Sequence, residues 1–112
     1  MKKIEAIIRE EKLDAVRTVL EDSGYFGMTV TEVSGRGRQG GLSLQWRVGE
    51  YRVDFLSKLK IEVVVLDEDV SKILHAIATT ARTGEMGDGK IFVIPIDNAV
   101  RIRTGEDGKN AI

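Results

Sequence analysis

Cysteine is absent from the chain, which removes disulfides, thiolate nucleophiles and zinc–cysteine sites and fits a reducing cytoplasm. Charge of one sign is also missing. Seventeen basic residues against eighteen acidic ones leave a net charge of −1, so anion binding must come from local placement and not from a global field. That balance argues against nucleic acid as a partner. No apolar run approaches the ~18 residues that a membrane-spanning helix needs, and the N-terminus passes straight from Met1-Lys2-Lys3 into alternating sequence. The expectation is a soluble, unexported, cytoplasmic protein. Aromatic residues make up only 5%, and none falls in Lys60-Ile61-Glu62-Val63-Val64-Val65, where an RNA-binding sheet would carry its stacking rings. At 112 residues with 42% hydrophobic content, the chain suits one domain over 1–112 with a single core.

What the chain does contain is a glycine-rich turn. Thr83-Gly84-Glu85-Met86-Gly87-Asp88-Gly89-Lys90 sets three glycines and a lysine directly before the apolar run Ile91 to Ile96. Glycine lets the backbone approach an anion with several N–H groups aligned, and lysine adds a mobile point charge. The segment, about 82–90, therefore reads as a phosphate-binding turn feeding a strand. It satisfies Gly-x-x-x-x-Gly-Lys from Gly84 to Lys90, but Ile91 stands where a Walker A loop needs Ser or Thr for magnesium, and no helix follows. A second cluster, Gly35-Arg36-Gly37-Arg38-Gln39-Gly40-Gly41, matches Gly-x-Gly-x-x-Gly with Asp54 downstream. No helix can begin in Gly41-Leu42-Ser43-Leu44-Gln45-Trp46, so the dinucleotide reading fails on context.

Periodicity supplies the fold. Lys3 to Arg9 alternates, with Ile4, Ala6 and Ile8 on one face and Lys3, Glu5, Ile7 and Arg9 on the other. Glu11 to Asp22 has helical spacing, with Leu13, Val16 and Leu20 in one stripe and Ser23-Gly24 as the stop. Met28 to Ser34 is rich in β-branched residues, and Lys58 to Leu66 alternates again. Val70, Ile73, Leu74, Ile77, Ala78 and Ala81 form a second helical stripe behind the acidic Asp67-Glu68-Asp69. Lys90 to Ile96, closed by Pro95, is a further strand, and Val100 to Arg103 reads as a short extra one. The order β-α-β-β-α-β predicts an α+β, ferredoxin-like sandwich with two helices on one face of an antiparallel sheet. The other face would carry Ile7, Val64 and Leu66 beside Glu5 and Glu62. Self-association would cover it, the alternative being a partly wetted sheet in a monomer.

About twenty residues, Gly35 to Asp54, separate the second and third strands, and an insertion of this length in a small domain is usually functional or disordered. Leu42, Leu44, Trp46 and Val48 alternate with Ser43, Gln45 and Arg47. The segment is either an extended ribbon whose apolar side a partner covers, or a plain β-hairpin on the core. In Arg101-Ile102-Arg103 a period of two would set both guanidinium groups on one side of a strand, a fork suited to polyphosphate oxygens. Alternatively both are surface salt-bridge partners. His75 sits off the second helix's apolar stripe and reads as an exposed residue, not a metal ligand.

These residues closely resemble the PII signal-transduction proteins of nitrogen metabolism, from end to end. The resemblance rests on Gly27-Met28-Thr29-Val30-Thr31-Glu32-Val33, Gly37-Arg38-Gln39, Glu50-Tyr51, Val53-Asp54-Phe55-Leu56, Lys58-Leu59-Lys60-Ile61-Glu62, Thr83-Gly84, Gly87-Asp88-Gly89-Lys90-Ile91-Phe92-Val93 and Val100-Arg101-Ile102-Arg103-Thr104-Gly105-Glu106. It implies a homotrimer with ATP or ADP in each of three clefts between neighbours, and 2-oxoglutarate beside magnesium-ATP. It further implies a regulatory loop, about 36–54, that changes shape to grip or release targets, and a C-terminal segment about 101–112. The targets implied are an ammonium transporter and nitrogen-assimilation enzymes, so any membrane association is indirect.

By the same resemblance, Gly87, Asp88, Gly89, Lys90, Arg101 and Arg103 hold the phosphates, joined by Gly37 and Arg38 from the long loop. Ile7 and Val64 wall the base, Thr29 meets its polar edge and Glu62 the ribose. Gln39 offers an oxygen to Mg2+, a suitable hard ligand, while the backbone of Gln39, Gly40 and Gly41 and the ammonium of Lys58 hold the oxoacid. Trp46 and Arg47 become target contacts, and Tyr51 matches a position that is nucleotidylated in many bacterial relatives. Three departures stand out. Gly40 replaces a common lysine, keeping backbone donors but losing a charge, and Arg9-Glu10-Glu11 replaces lysine, proline and an aromatic; Trp46 in place of tyrosine keeps an aromatic anchor. Without the resemblance, Ile7 and Val64 are sheet packing, and Glu62, Gln39, Lys58, Arg47 and Tyr51 are solvated surface groups.

Three functions compete: a regulatory binding protein, a small nucleotide phosphohydrolase, and an RNA-binding module. No histidine, cysteine or serine lies near the glycine turn, and Asp88 is the one nearby base candidate for hydrolysis. The regulatory reading, with at most incidental ATP hydrolysis, fits best.

Overall fold

The computed structural model describes residues 1–35, 43–46, 49–52 and 56–112, the two middle segments by backbone alone. Among the described residues, six strands and two α-helices follow in the order β1 (Lys2–Ile8), α1 (Leu13–Asp22), β2 (Thr29–Gly35), β3 (Ser43–Trp46), β4 (Gly49–Arg52), β5 (Leu56–Val65), α2 (Val70–Ala81) and β6 (Lys90–Pro95). A four-stranded antiparallel sheet has the order β2-β5-β1-β6. Both helices pack on one face of it, which is the ferredoxin-like α+β arrangement that the alternations predict. Each helix is entered through a 3-10 turn, Glu10–Lys12 before α1 and Asp67–Asp69 before α2. In both turns carboxylates sit where the helix dipole is positive.

The core is the set of residues that the two periodicities select. Ile4, Ala6 and Ile8 from β1 meet Ile61, Val63 and Val65 from β5, beneath Val16 and Leu20 of α1 and Ile73 and Ile77 of α2, each 2% exposed or less. Burying one such aliphatic side chain is worth about 1.5–3 kcal/mol. The end of α1 is closed by the amides of Gly24 and Tyr25 on the carbonyls of Glu21 and Leu20, both at 2.9 Å, the paired bonds of a Schellman stop. The Tyr25 hydroxyl then bridges to the start of α2. It accepts from the Leu66 amide at 3.1 Å and donates to Asp69, which ties the α1–β2 connection to the opposite helix.

The opposite sheet face is set by register. Glu5 lies across from Glu62, Ile7 across from Lys60 and Lys3 across from Val64. Two like charges face to face would repel, but each is matched on its own strand, Lys3 to Glu5 at 3.2 Å and Lys60 to Glu62 at 3.3 Å. The edge strands leave Val30, Phe92 and Val93 at 40–48% exposure.

Two expectations resolve differently. The long insertion contains an antiparallel hairpin, pairing Ser43 with Arg52, Leu44 with Tyr51, Gln45 with Glu50 and Trp46 with Gly49 as a sheet of its own. The extra strand over Val100 to Arg103 does not form. Only Val100 makes an isolated bridge, to Asp107. Beyond it, the Gly105 amide bonds back to the Arg101 carbonyl and the Arg101 amide to the Glu106 carbonyl, both at 2.8 Å, and the Thr104 hydroxyl takes the Glu106 amide at 3.2 Å. This local turn satisfies the backbone without a sheet, so the two-residue period of Arg101 and Arg103 no longer fixes a common side. Ile102 at its tip is 99% exposed.

Candidate functional site

The site begins where β6 begins. Lys90 pairs with Ile7 across the sheet, and the residue before it, Gly89, lies with its backbone against β1. A Cβ placed on Gly89 would meet the Ile7 carbonyl oxygen at 1.7 Å, and its φ of +97° is one that side chains rarely adopt. No other residue fits there. The turn 82–90 is thus pressed onto the end of β1, and its conformation is inherited by Lys90, whose exposed side chain emerges on the face away from the helices.

Asp88 organises the turn from within. Its carboxylate accepts from the Thr83 amide and the Gly84 amide, both at 2.9 Å, and from the Thr83 hydroxyl. The Glu85 amide donates to Thr83 Oγ1 at 3.1 Å. Two cations hold the turn from the sheet. Arg9 donates from Nε to Asp88 at 3.1 Å and from Nη2 to the Met86 carbonyl at 2.8 Å, and Lys58 Nζ donates to the Gly87 carbonyl at 2.5 Å. The hydrogen bonds from Thr83, then from Gly84 and Arg9, hold the Asp88 carboxyl well below the usual carboxylate range. A depressed carboxylate stabilises the fold fully above its unfolded pKa and loses that contribution only as the pH falls through the folded value. Asp88 therefore stays charged throughout the physiological range, and a base so weak is badly matched to proton abstraction near neutrality. Burial, and then the neighbouring Arg9 guanidinium, push the Lys58 ammonium below its ordinary pKa.

Beside the turn, on the helix side, lies a cavity of about 330 Å³ walled by Ile8, Ile77, Ala78, Ala81 and Ile91, with Arg82 also lining it. Lys60 and Arg9 are matched to Glu62 and Asp88, whereas no carboxylate among the described residues pairs with Lys90. The arrangement can receive an anion. Among the described residues no three carboxylate or histidine groups cluster as a metal site, so a cation here would depend on ligands from its guest.

Of the residues singled out in the sequence, the structure brings Ile7, Lys58, Gly87, Asp88, Gly89 and Lys90 to this one end. Thr29 and Glu62 are cross-strand partners further along the same face, followed by Val64 opposite Lys3. Arg101 and Arg103 come from elsewhere. β6 runs away from the turn and leaves the sheet beside Met1, where the Ile96 amide meets the Met1 carbonyl at 3.2 Å, and Arg101 then pairs with Glu106 at 3.0 Å. Gly37, Arg38, Gln39, Gly40, Gly41 and Arg47 lie outside the described residues. Trp46 and Tyr51 are placed only as backbone of β3 and β4. Sequence reasoning missed the part played by Arg9, although its place at the end of the β1 alternation, on the face of Ile7, was a usable signal.

Comparison with known proteins decides the family. The family model described as nitrogen regulatory protein P-II matches residues 1–106. This chain belongs to the P-II family. It is 56% identical over its full length to nitrogen regulatory protein P-II 2 of Methanothermobacter thermautotrophicus, covering 97% of that protein. It is also 57% identical to the nitrogen regulatory proteins P-II of Pasteurella multocida and Haemophilus influenzae, both chains covered completely. P-II membership gives the chain a nitrogen-regulatory signalling role, exerted through target proteins. No helix among the described residues is long and apolar enough to cross a membrane.

Proposed function

We propose that the chain is a cytoplasmic nitrogen-signalling regulator that binds ATP or ADP between the subunits of a homotrimer. With magnesium-ATP in place it takes up 2-oxoglutarate, and the loop of about 36–54 reports the outcome to targets, foremost an ammonium transporter. The observation that carries this is the glycine turn, clamped to the sheet by Arg9 and Lys58 while Lys90 has no carboxylate partner among the described residues. The route of β6 supports the inter-subunit cleft. The arginine turn starts from the opposite end of the sheet, so a neighbouring copy is the natural donor of Arg101 and Arg103. Such a neighbour would also cover the half-apolar face and the exposed edges at Val30 and Phe92.

In this reading Gly87, Asp88, Gly89 and Lys90 hold the phosphates, with Gly37 and Arg38 closing from the loop. Ile7, Val64 and Thr29 enclose the base and Glu62 binds the ribose. Gln39 gives Mg2+ one oxygen, with phosphates supplying the rest. Gln39, Gly40 and Gly41 hold 2-oxoglutarate with Lys58, and Trp46, Arg47 and Tyr51 face the target. Regulation then needs no chemistry. The ligands favour some loop conformations over others, and the target, binding one of them, feels that preference.

Calorimetric titration with 2-oxoglutarate tests the order of events. Uptake is expected only after magnesium-ATP is bound, with none in its absence or with ADP alone. Binding of the oxoacid to the nucleotide-free protein would contradict the scheme.

A further inference from the structure

Arg9 joins elements that no local pattern connects. It stands just past β1, yet its guanidinium grips the turn 79 residues later at Asp88 and at the Met86 carbonyl, on either side of Gly87. Through Asp88 the grip extends to the amides of Thr83 and Gly84. Both partners are shielded, Arg9 at 18% and Asp88 at 24% side-chain exposure, unlike the exposed ion pairs that contribute little.

Peptide geometry turns this grip into an array of donors. In a trans peptide the carbonyl and the following N–H point in opposite directions. With the Met86 carbonyl turned to Arg9, the Gly87 N–H points away from that guanidinium. With the Gly87 carbonyl turned to Lys58, the Asp88 N–H points away from that ammonium. The amides of Thr83, Gly84 and Glu85 are consumed inside the turn, whereas the Gly87 and Asp88 N–H groups, whose direction Arg9 and Lys58 set, stay open to a guest.

We propose that Arg9 is a positioning residue for the anion-binding turn, aligning its N–H groups without touching the guest. The proposal rests on reading the turn as the nucleotide-phosphate site. An arginine is required because two acceptors on different residues are reached by one planar fork, which a lysine's single ammonium on a flexible stem does not reproduce. The fold does not depend on it. β1 pairing ends at Ile8 and Arg9 lies outside the buried core.

The test uses the complete chain and two variants, Arg9→Ala and Arg9→Lys. In the nucleotide-free protein, amide exchange at Thr83 and Gly84 is expected to accelerate at least about ten-fold in Arg9→Ala, with core amides of β1 and β5 unchanged. ATP affinity by calorimetry is expected to fall about ten-fold in Arg9→Ala, with Arg9→Lys recovering only part of it. Unchanged exchange at Thr83 and Gly84 overturns the proposal, as does equal acceleration across the core, which would make Arg9 a residue of general stability. ATP affinity within about two-fold of the parent also overturns it. A parent chain that binds no ATP instead defeats the nucleotide reading, and the exchange arm then decides alone whether Arg9 sets the turn.

Discussion

Gly89→Ala is expected to lower the melting temperature by roughly 8–40 °C and to abolish measurable nucleotide binding. Two penalties combine. An alanine held at a positive φ costs about 1–2 kcal/mol, and a methyl group 1.7 Å from the Ile7 carbonyl oxygen must force β1 and the start of β6 apart, adding about 1–3 kcal/mol as overpacking does. Each kcal/mol moves the melting point of a domain near this size by about 4–8 °C. Gly84→Ala separates the terms. Gly84 has φ +90° but nothing within 4 Å of an added Cβ, so it should show the backbone strain alone and melt only about 4–16 °C lower. Thermal unfolding of the two variants beside the parent checks this. A Gly89→Ala protein melting no lower than Gly84→Ala would mean that the turn is not pressed against β1.

Lys90→Ala should leave the fold intact and remove most of the ATP affinity. The side chain is exposed, and exposed substitutions away from special features usually stay within about 0.5 kcal/mol of the parent stability. A hydrogen bond between ammonium and phosphate, by contrast, is worth about 1.5–3 kcal/mol, or roughly a ten- to hundred-fold loss in affinity. No described carboxylate engages Lys90, so no internal ion pair offsets its loss. Calorimetric titration of the variant with ATP, next to its unfolding curve, separates binding from stability. Unchanged affinity would remove Lys90 from the site and with it the reading of the glycine turn.

The fold was legible in this chain because its elements have clean periods. Ile4, Ala6 and Ile8 alternate as a half-buried strand must, and Val16, Leu20, Ile73 and Ile77 fall on helical stripes, so burial follows from spacing alone. The short strand over Val100 to Arg103 failed for a reason equally visible in the sequence. Thr104-Gly105 is a turn signal, and a chain that can close its own hydrogen bonds through the Gly105 and Glu106 backbone needs no sheet partner. Of the site, the glycine turn and Lys90 were readable as a motif. The clamp was not. Arg9, Lys58 and Asp88 meet only because β1 lies between β5 and β6, and an ion pair across 79 residues leaves no local pattern. The insertion remained ambiguous because alternation marks a strand without saying what it pairs with; Leu44 opposite Tyr51 resolves the pairing as a hairpin.

Sedimentation equilibrium of the parent chain with fluorescent ATP, monitored at the wavelengths of both protein and nucleotide, tests the shared cleft most directly. The account requires a particle of three chains with ATP travelling at that mass, one nucleotide for each chain. Single chains that carry no nucleotide would contradict it.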